Sequence, residues 1–320
     1  MTLENIITKK RKTANLLGEL KEAGRKAYDK TVDIMPAAWK PALDSTLYSL
    51  SNILNYGRAD MFYGIAIETT SVCNRRCSYC PNSCNALRKL RPQKHMDKDL
   101  FDHIVDQLAD MKYKGVIALQ HYGEPLLDPD LTRRIAQIKE KVPTAQVFIY
   151  SNGDFLTPGK LDDLIEAGLD RAIITNHNQD GSRSESLTQL ENYLANSPDK
   201  RRYATVRHKI IEKSNRGGLV EVTDGTLKNA PQCTADLRHM YITVNGDVAL
   251  CCNSYLDKEN NLGNVAETGL LDIWKSYVGL RKELNSGKHS LAMCRYCAGA
   301  EKPMPLDQRI DEYKRKISCE

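Results

Sequence analysis

Three cysteines lie close together in the first third of the sequence. Cys73, Cys77 and Cys80 form the pattern Cys-x3-Cys-x2-Cys. Thiolates are the usual ligands of iron-sulfur clusters, so three of them on one short loop can bind three irons of a cubane and leave the fourth iron open to a small molecule. A structural zinc site is the alternative, but such a site takes four protein ligands, and no fourth ligand lies at zinc-finger spacing.

The segment around these cysteines, residues 68 to 81, resembles the radical S-adenosylmethionine (radical SAM) superfamily. Tyr79 matches the aromatic residue that the family usually has before the third cysteine. The resemblance implies a [4Fe-4S] cluster whose open iron binds SAM, and a flavodoxin- or ferredoxin-type reductant as partner. It also implies a shared first step, in which reduction cleaves SAM and a 5'-deoxyadenosyl radical takes a hydrogen atom from the substrate.

Two further motifs support a SAM site. Gly123-Glu124-Pro125 resembles the end of the family's Gly-Gly-Glu-Pro motif, which receives the ammonium group of SAM, although Tyr122 replaces the first glycine. Ser151 and Asn152, followed by a glycine, are similar to the family's ribose-contacting segment. Without the cysteine loop, both motifs would only indicate turns.

A second cysteine set follows in the last third of the chain. It resembles the auxiliary iron-sulfur domain called SPASM in its long form and twitch in its short form, and its ligands would be Cys233, Cys251, Cys294 and Cys297. The long form needs further cysteines soon after Cys297, and residues 298 to 318 contain none. The expectation is one auxiliary cluster, hence two [4Fe-4S] clusters in all, with a zinc ribbon as the alternative. Residues 215 to 218, Asn-Arg-Gly-Gly, resemble a turn of members with this domain.

The elements around the motifs alternate between short apolar strands and amphipathic helices. We predict strands near 63 to 69, 115 to 120, 145 to 151, 171 to 176 and 203 to 211, with helices near 97 to 111, 129 to 141, 158 to 167 and 185 to 196. This order is typical of an α/β fold with a parallel sheet, and together with the resemblance it predicts a partial (βα)6 radical SAM barrel. In such folds the active site lies at the carboxyl ends of the strands.

Other segments flank this core, giving four predicted regions. Residues 1 to 60 form a helical extension, with apolar positions at Leu16, Leu17 and Leu20 and a second helix through Leu47, Leu50, Ile53 and Leu54. The radical SAM core covers residues 61 to 218. The auxiliary cluster domain covers residues 219 to 304, with a hairpin turn at Asn245-Gly246 and a helix near 268 to 285. Residues 305 to 320 form a charged, loosely held tail.

Composition limits the class of protein. The chain of 320 residues carries a net charge of +5, and residues 1 to 30 hold eight Lys or Arg against four Asp or Glu. Without aromatic interleaving this basic head is expected to be a solvated helix face, so no nucleic-acid partner is predicted. No run of 18 apolar residues occurs, so no membrane span is expected. Ten cysteines favour metal binding in a reducing cytoplasm over a disulfide framework.

Three reactions remain open for the substrate radical. Transfer of an electron to the auxiliary cluster gives dehydrogenation of a small polar molecule, such as an aminocyclitol or sugar. Return of hydrogen from a thiol gives epimerisation, with Cys252 as the catalytic donor, although a buried small residue is the simpler interpretation of Cys252. The third is maturation of a ribosomal peptide. The candidate substrate contacts are polar residues near strand ends, namely His121, Asn176, His177, Arg207 and His208.

Overall fold

The structure is a computed structural model that describes residues 40–178, 180–208, 214–221, 238–256 and 258–318. The predicted helix through Leu16, Leu17 and Leu20 and the predicted ligand Cys233 lie outside the described residues. The contacts divide the chain into two units, Met1–Asp60 and Met61–Glu320. In the first unit, helix α1 (Lys40–Tyr56) confirms the predicted second helix, and Asn52 closes its end by donating to the carbonyl oxygen of Ala59 at 3.0 Å.

The second unit is built on one eight-stranded sheet. The strands are β1 (Gly64–Ile67), β2 (Val116–Leu119), β3 (Gln146–Ser151), β4 (Arg171–Thr175), β5 (Ala204–Arg207), β6 (His239–Ile242), β7 (Asp247–Ala249) and β8 (Asn261–Asn264). Their order is β5-β4-β3-β2-β1-β6-β7-β8, with β1 to β6 parallel and β7 and β8 antiparallel. The first five strands and the four long helices between them confirm the predicted α/β alternation.

The helices of this unit follow the strands. They are α2 (Asn85–Arg88), α3 (Lys98–Asp110), α4 (Leu131–Lys141), α5 (Pro158–Glu166), α6 (Glu185–Asn196), α7 (Leu270–Ser276), α8 (Val278–Asn285), α9 (Ala292–Cys297) and α10 (Leu306–Ser318). Asp97, Thr157 and Ser184 cap α3, α5 and α6 by accepting hydrogen bonds from first-turn N–H groups. No helix in the described part of the chain is long and apolar enough to cross a membrane.

The sixth parallel strand comes from the predicted hairpin. The turn at Asn245-Gly246 connects β6 to β7 as expected, but β6 also pairs in parallel with β1, with Ile65 opposite Met240. The hairpin therefore completes the parallel sheet and lies, in the sequence, between the first two cysteines of the second set. As a result, the residues that follow β7, including Cys251, are connected directly to the sheet that carries the first cysteine loop.

A buried ion pair joins three neighbouring strand ends. Arg91 contacts Glu68 at 2.7 Å, and both side chains are almost completely buried. Glu68 also accepts hydrogen bonds from the backbone N–H groups of Tyr122, at 3.1 Å, and Val244, at 3.2 Å. Since these residues follow β1, β2 and β6, the pair fixes the carboxyl edge of the sheet where the motifs lie.

The carboxyl-terminal segment differs from the sequence-based expectation. Residues 306 to 318 form helix α10 rather than a loosely held tail, because Ile310 and Tyr313 are buried on one face of it. Arg309 on the same helix contacts Glu259 at 2.7 Å. The predicted helix near 268 to 285 is likewise divided, into α7 and α8.

Candidate active site

A cavity of about 200 Å³ opens at the carboxyl ends of β1 to β4. Its walls come from the cysteine loop after β1, the turn after β2, the ends of β3 and β4, and one residue of the later Arg-Gly-Gly turn. The lining residues are Cys73, Arg75, Cys77, Tyr79, Cys80, Gln120, His121, Tyr122, Gly123, Glu124, Tyr150, Ser151, Asn152, Thr175, His177 and Arg216. All three cysteines of the first motif therefore face the same space as the predicted SAM-binding motifs.

The cysteine loop is held against the end of β3. Arg75 makes a two-pronged ion pair with Asp154, with nitrogen-to-oxygen distances of 2.6 and 2.5 Å. Asn74 donates to the same carboxylate at 2.7 Å and accepts from the side chain of Asn152 at 2.9 Å. These bonds fix the loop between its first and second cysteines, which orients the thiols toward the cavity.

The three thiols suit a cluster better than a single ion. No three His, Cys, Asp or Glu side chains in the described part of the chain are close enough to hold one metal ion. In a cubane each thiolate binds a different iron, so its ligands surround a larger object, as the three cysteines surround one cavity here. Burial raises the pKa of Cys73 to about 11 and also raises the pKa of Cys80. Cluster binding at this loop therefore releases protons.

Glu124 is buried in the part of the cavity wall that the two predicted SAM motifs form. Its Oε1 accepts hydrogen bonds from Ser151 Oγ at 2.7 Å and from the N–H of Leu126 at 3.1 Å, and its Oε2 accepts from the N–H of Asn152 at 2.9 Å. Burial raises the pKa of Glu124, while these three bonds act in the opposite direction. The two predicted SAM motifs thus form one hydrogen-bonded unit.

Gly123 allows that unit to sit against the cysteine loop. A Cβ atom at this position would lie 1.8 Å from the carbonyl oxygen of Thr70. At the same contact, the N–H of Glu124 donates to the carbonyl oxygen of Val72 at 2.8 Å. The glycine of the motif is therefore required by close backbone contact between the turn after β2 and the segment leading to Cys73.

Two histidines lie in the cavity wall. The Tyr79 hydroxyl is hydrogen-bonded to Nδ1 of His177, which follows β4. Nε2 of His121 is 3.2 Å from the carbonyl oxygen of Ser254, which makes this nitrogen the donor. Burial lowers the pKa of each histidine to about 4, so both rings are neutral near pH 7.

Arg216 enters the cavity from a turn with unusual backbone geometry. Arg216, Gly217 and Gly218 have φ angles of 51°, 63° and 86°, and this left-handed run explains the two glycines of the motif. The guanidinium carbon lies 5.8 Å from the centre of the Tyr122 ring. Burial by itself would lower the pKa of Arg216, but nearby Tyr122 and cysteine side chains hold the pKa above its usual value.

The described cysteines of the second set converge behind this wall. Cys251 and Cys294 pack in one cluster with Leu250, Leu284 and Met293. Asn253 connects Cys251 to Cys297, since its N–H lies 3.4 Å from Sγ of Cys251 and its Nδ2 lies 3.6 Å from Sγ of Cys297. The three thiols come from a turn after β7 and from both ends of one turn of α9, an arrangement that suits thiolate ligands of a second cluster.

The remaining predicted residues lie outside the cavity wall. Cys252 packs against Ala66 and Tyr241, and Asn176 is buried with its side chain donating to the carbonyl oxygen of Ser182. Arg207 and His208 are exposed, and Nε2 of His208 lies 3.0 Å from a carboxylate oxygen of Glu191. Pro125 begins a 3-10 turn next to the cavity.

Several lining residues lie outside the set that the sequence predicts. Arg75, Gln120, Tyr150 and Thr175 line the cavity, and the sequence indicates Arg216 only as part of a turn motif. Tyr150 and Thr175 lie at the last or next-to-last positions of β3 and β4. That placement at the carboxyl end of a parallel strand is a signal that the sequence contained.

The sequence and fold match known proteins. The family model of the Radical SAM superfamily matches residues 67–183, and that of the SPASM iron-sulfur cluster-binding domain matches residues 233–298. The S-adenosyl-L-methionine-dependent 2-deoxy-scyllo-inosamine dehydrogenase of Niallia circulans is 31% identical over 240 residues, which are 74% of this chain and 93% of that protein. A probable GTP 3',8-cyclase of Halobacterium salinarum is 34% identical over 41% of this chain and 36% of its own length.

A solved structure agrees with these matches. The crystal structure of BtrN in complex with AdoMet and 2-DOIA superposes with a TM-score of 0.65 and 30% identity, covering 74% of this chain and 93% of that chain. The chain belongs to the radical SAM superfamily. It is a radical SAM enzyme with an auxiliary iron-sulfur domain of the SPASM kind.

Proposed function

We propose that this enzyme dehydrogenates an alcohol or amine carbon of a small polar substrate of the aminocyclitol or sugar class. The observation that carries the proposal is the position of the second cysteine set, which is connected through Asn253 to Arg216 in the cavity wall. The name of the Niallia circulans relative supports the substrate class.

The residues of the cavity have distinct proposed roles. Cys73, Cys77 and Cys80 hold the first cluster, and Cys233, Cys251, Cys294 and Cys297 hold the second. Glu124 and Gly123 receive the ammonium group of SAM, with Pro125 shaping that turn. Tyr79, Ser151 and Asn152 contact the rest of the cofactor. His121 and His177, which reach the cavity wall, are the better-placed members of the predicted substrate set, since Asn176, Arg207 and His208 lie outside it.

The reaction balances as a two-electron oxidation. When bound, SAM and the first cluster supply a 5'-deoxyadenosyl radical. Loss of one hydrogen atom from the substrate carbon, followed by loss of one proton and one electron, gives a carbonyl or imine. The buried wall residues would shield the reacting carbon from water. Cys233, Cys251, Cys294 and Cys297 would hold a cluster that could take up the departing electron.

We further propose that the enzyme works in a reducing cytoplasm with a flavodoxin- or ferredoxin-type reductant. Metal binding requires deprotonated thiols in place of disulfides, so the proposed cysteine ligands support a reducing compartment.

Anaerobic assay with 2-deoxy-scyllo-inosamine as the probe tests the proposal. The reconstituted enzyme should form one 5'-deoxyadenosine for each ketone produced, because one hydrogen atom is removed per turnover. Absence of both products from that substrate and from related aminocyclitols and sugars would reject the substrate class. Absence of any SAM cleavage under dithionite would reject the cofactor assignment too.

Epimerisation is a second candidate, since Cys252 packs against Ala66 and Tyr241 on β1 and β6 and lies near Arg216 of the cavity wall. It predicts an unoxidised product that carries solvent deuterium, and loss of that deuterium in Cys252→Ala. Dehydrogenation predicts a ketone in both proteins.

A further inference from the structure

Asn253 lies between the two cysteine sites and is hydrogen-bonded toward both. Its Oδ1 accepts from Nη1 of Arg216 at 3.0 Å, while its Nδ2 donates to Sγ of Cys297 at 3.6 Å. Its backbone N–H donates to Sγ of Cys251 at 3.4 Å. One residue therefore connects the wall of the SAM cavity to two ligands of the proposed auxiliary cluster, to Cys297 through its side chain and to Cys251 through its backbone.

The orientation of this amide follows from its partners. A guanidinium group can only donate hydrogen bonds, so the amide oxygen must face Arg216. The amide NH2 group then faces Cys297. The positive charge on one side polarises the amide and strengthens its donor on the other side, where a thiolate is expected.

Asn253 also holds Arg216 in place. Among the described residues, the bond to Asn253 is the hydrogen bond that the Arg216 side chain makes, and its buried Nε has no partner. The backbone of Arg216 is in the left-handed region, so the side chain enters the cavity from a constrained position. A change at Asn253 therefore alters both the donor to Cys297 and the position of the nearby positive charge.

Both effects act on the electron affinity of a cluster. Reduction adds negative charge, and donors to the cluster sulfurs or a nearby cation stabilise that charge. We propose that Asn253 is a positioning residue that raises the reduction potential of the auxiliary cluster, through its bond to Cys297 and by fixing Arg216. This inference rests on the proposed function, because it assigns Asn253 to the acceptance of the substrate electron.

Two variants of the full-length, cluster-loaded enzyme separate the contributions. Asn253→Leu removes both side-chain hydrogen bonds at similar size. Asn253→Asp keeps an acceptor for Arg216 but turns a carboxylate oxygen toward Cys297. The measurement is the midpoint potential of the auxiliary cluster by anaerobic redox titration followed by electron paramagnetic resonance, and added SAM identifies the signal of the other cluster.

The expected result is a lower potential in both variants, with the larger shift in Asn253→Asp. For Asn253→Leu we expect the equilibrium constant for reduction of the auxiliary cluster to fall about tenfold. This corresponds to a midpoint potential about 59 mV lower for a one-electron couple. The yield of oxidised product per 5'-deoxyadenosine should fall.

Asn260→Leu is the matched control. Asn260 also donates from its amide to a sulfur, at 3.6 Å, but that sulfur is the thioether of Met293, which is not a proposed ligand. This variant should keep the wild-type potential.

An unchanged potential in both Asn253 variants, with about eight irons per chain retained, would overturn the inference and leave the proposed function standing. Loss of the auxiliary iron in both variants would also overturn it, because Asn253 would then be needed for assembly and not for tuning. If only Asn253→Leu loses iron, the midpoint potential of Asn253→Asp, whose side chain is close to asparagine in size, tests the inference: a lower potential supports it and an unchanged one overturns it. If the wild-type protein held only about four irons, the auxiliary cluster would be absent, and the proposed function would be rejected together with this inference.

Discussion

Glu124 shows how a single residue of the site depends on its surroundings. Its carboxylate is buried, which by itself disfavours the charged form, but hydrogen bonds from Ser151, Asn152 and Leu126 favour that form. The same bonds use both oxygens, so the orientation of the carboxylate is fixed before any ligand binds. Such preorganisation suits recognition of a ligand ammonium group.

Replacement of Glu124 by glutamine should weaken SAM binding. Glutamine has one acceptor oxygen, so the N–H of Asn152 or the hydroxyl of Ser151 would face an NH2 group, and the charge that pairs with an ammonium group would be lost. A hydrogen bond to a charged group contributes roughly 1.5 to 3 kcal/mol, so we expect an affinity about 10 to 150 times lower. Equilibrium dialysis with labelled SAM measures it.

Glu140→Gln is the control, because Glu140 is exposed on α4. It should bind SAM as the wild type does. Equal affinity in Glu124→Gln would argue against the assignment of Glu124 to the SAM site.

The first cysteine set should be essential for SAM cleavage. Replacing Cys73, Cys77 and Cys80 together by alanine removes every proposed protein ligand of the first cluster. Production of 5'-deoxyadenosine under dithionite should then fall to background. Cys84→Ala, which changes a cysteine next to the motif and outside the lining set, should retain the activity. Persistent cleavage in the triple variant would contradict the assignment.

At the scale of elements, the site depends on how the turn after β2 packs on the segment after β1. Gly123 permits this close contact because it has no side chain, and the ion pair between Glu68 and Arg91 holds the neighbouring strand ends together. These contacts are made by backbone and by residues that do not face the substrate. Changes there should therefore affect stability as well as activity.

Gly123→Ala should destabilise the protein. The added Cβ would lie 1.8 Å from a backbone oxygen, so the turn or the cysteine segment must move. Such overpacking costs typically about 1 to 3 kcal/mol, and we expect a matching decrease in the free energy of unfolding by guanidinium denaturation. Gly159→Ala is the comparison, since nothing lies within 4 Å of a Cβ there and its position is helical. Its stability should be equal to the wild type or higher.

Loss of the buried ion pair between Glu68 and Arg91 should destabilise the protein more than Gly123→Ala does. Burial by itself would raise the pKa of Glu68, but Arg91 and the donated backbone bonds hold that pKa below its usual value. Arg91→Met leaves the buried carboxylate without its cation, and breaking such a pair costs about 3 to 5 kcal/mol. Thermal unfolding of Arg91→Met and of the double variant Arg91→Met, Glu68→Gln tests this. The double variant should recover part of the loss, and equal losses would contradict the explanation.

For the whole molecule, the fold places two cysteine sites on either side of one wall. The sixth strand joins the parallel sheet beside β1, and the chain then turns back so that Asn253 meets Arg216. The wall therefore separates the place where a radical would form from the place where an electron would go. This arrangement favours oxidation over a simple return of hydrogen.

Two cubanes should be present, with about eight irons per chain. Anaerobic iron and sulfide analysis of the reconstituted protein tests the number. Replacing Cys233, Cys251, Cys294 and Cys297 by alanine should leave about four irons and preserve some SAM cleavage, while substrate oxidation stops. Zinc together with only four irons in the wild type would contradict the auxiliary cluster.

The sequence by itself determined the chemistry of the site and the core of the fold. Cysteine spacing and the Gly-Glu-Pro and Ser-Asn-Gly segments are local patterns, and each lies at or shortly after the end of a strand whose apolar residues are visible in the sequence. Because the carboxyl ends of parallel strands meet at one edge, these local patterns were enough to predict a common site.

Only the tertiary structure decided which distant residues complete that site. The pairing of β6 with β1 depends on contacts between residues more than 170 positions apart in the chain, and no local period reports such a pairing. The bond between Asn253 and Arg216 and the burial of α10 have the same origin. Side chains such as Arg207 and His208, which the strand ends suggested, point away because the pleat of a strand and the length of a loop set direction residue by residue.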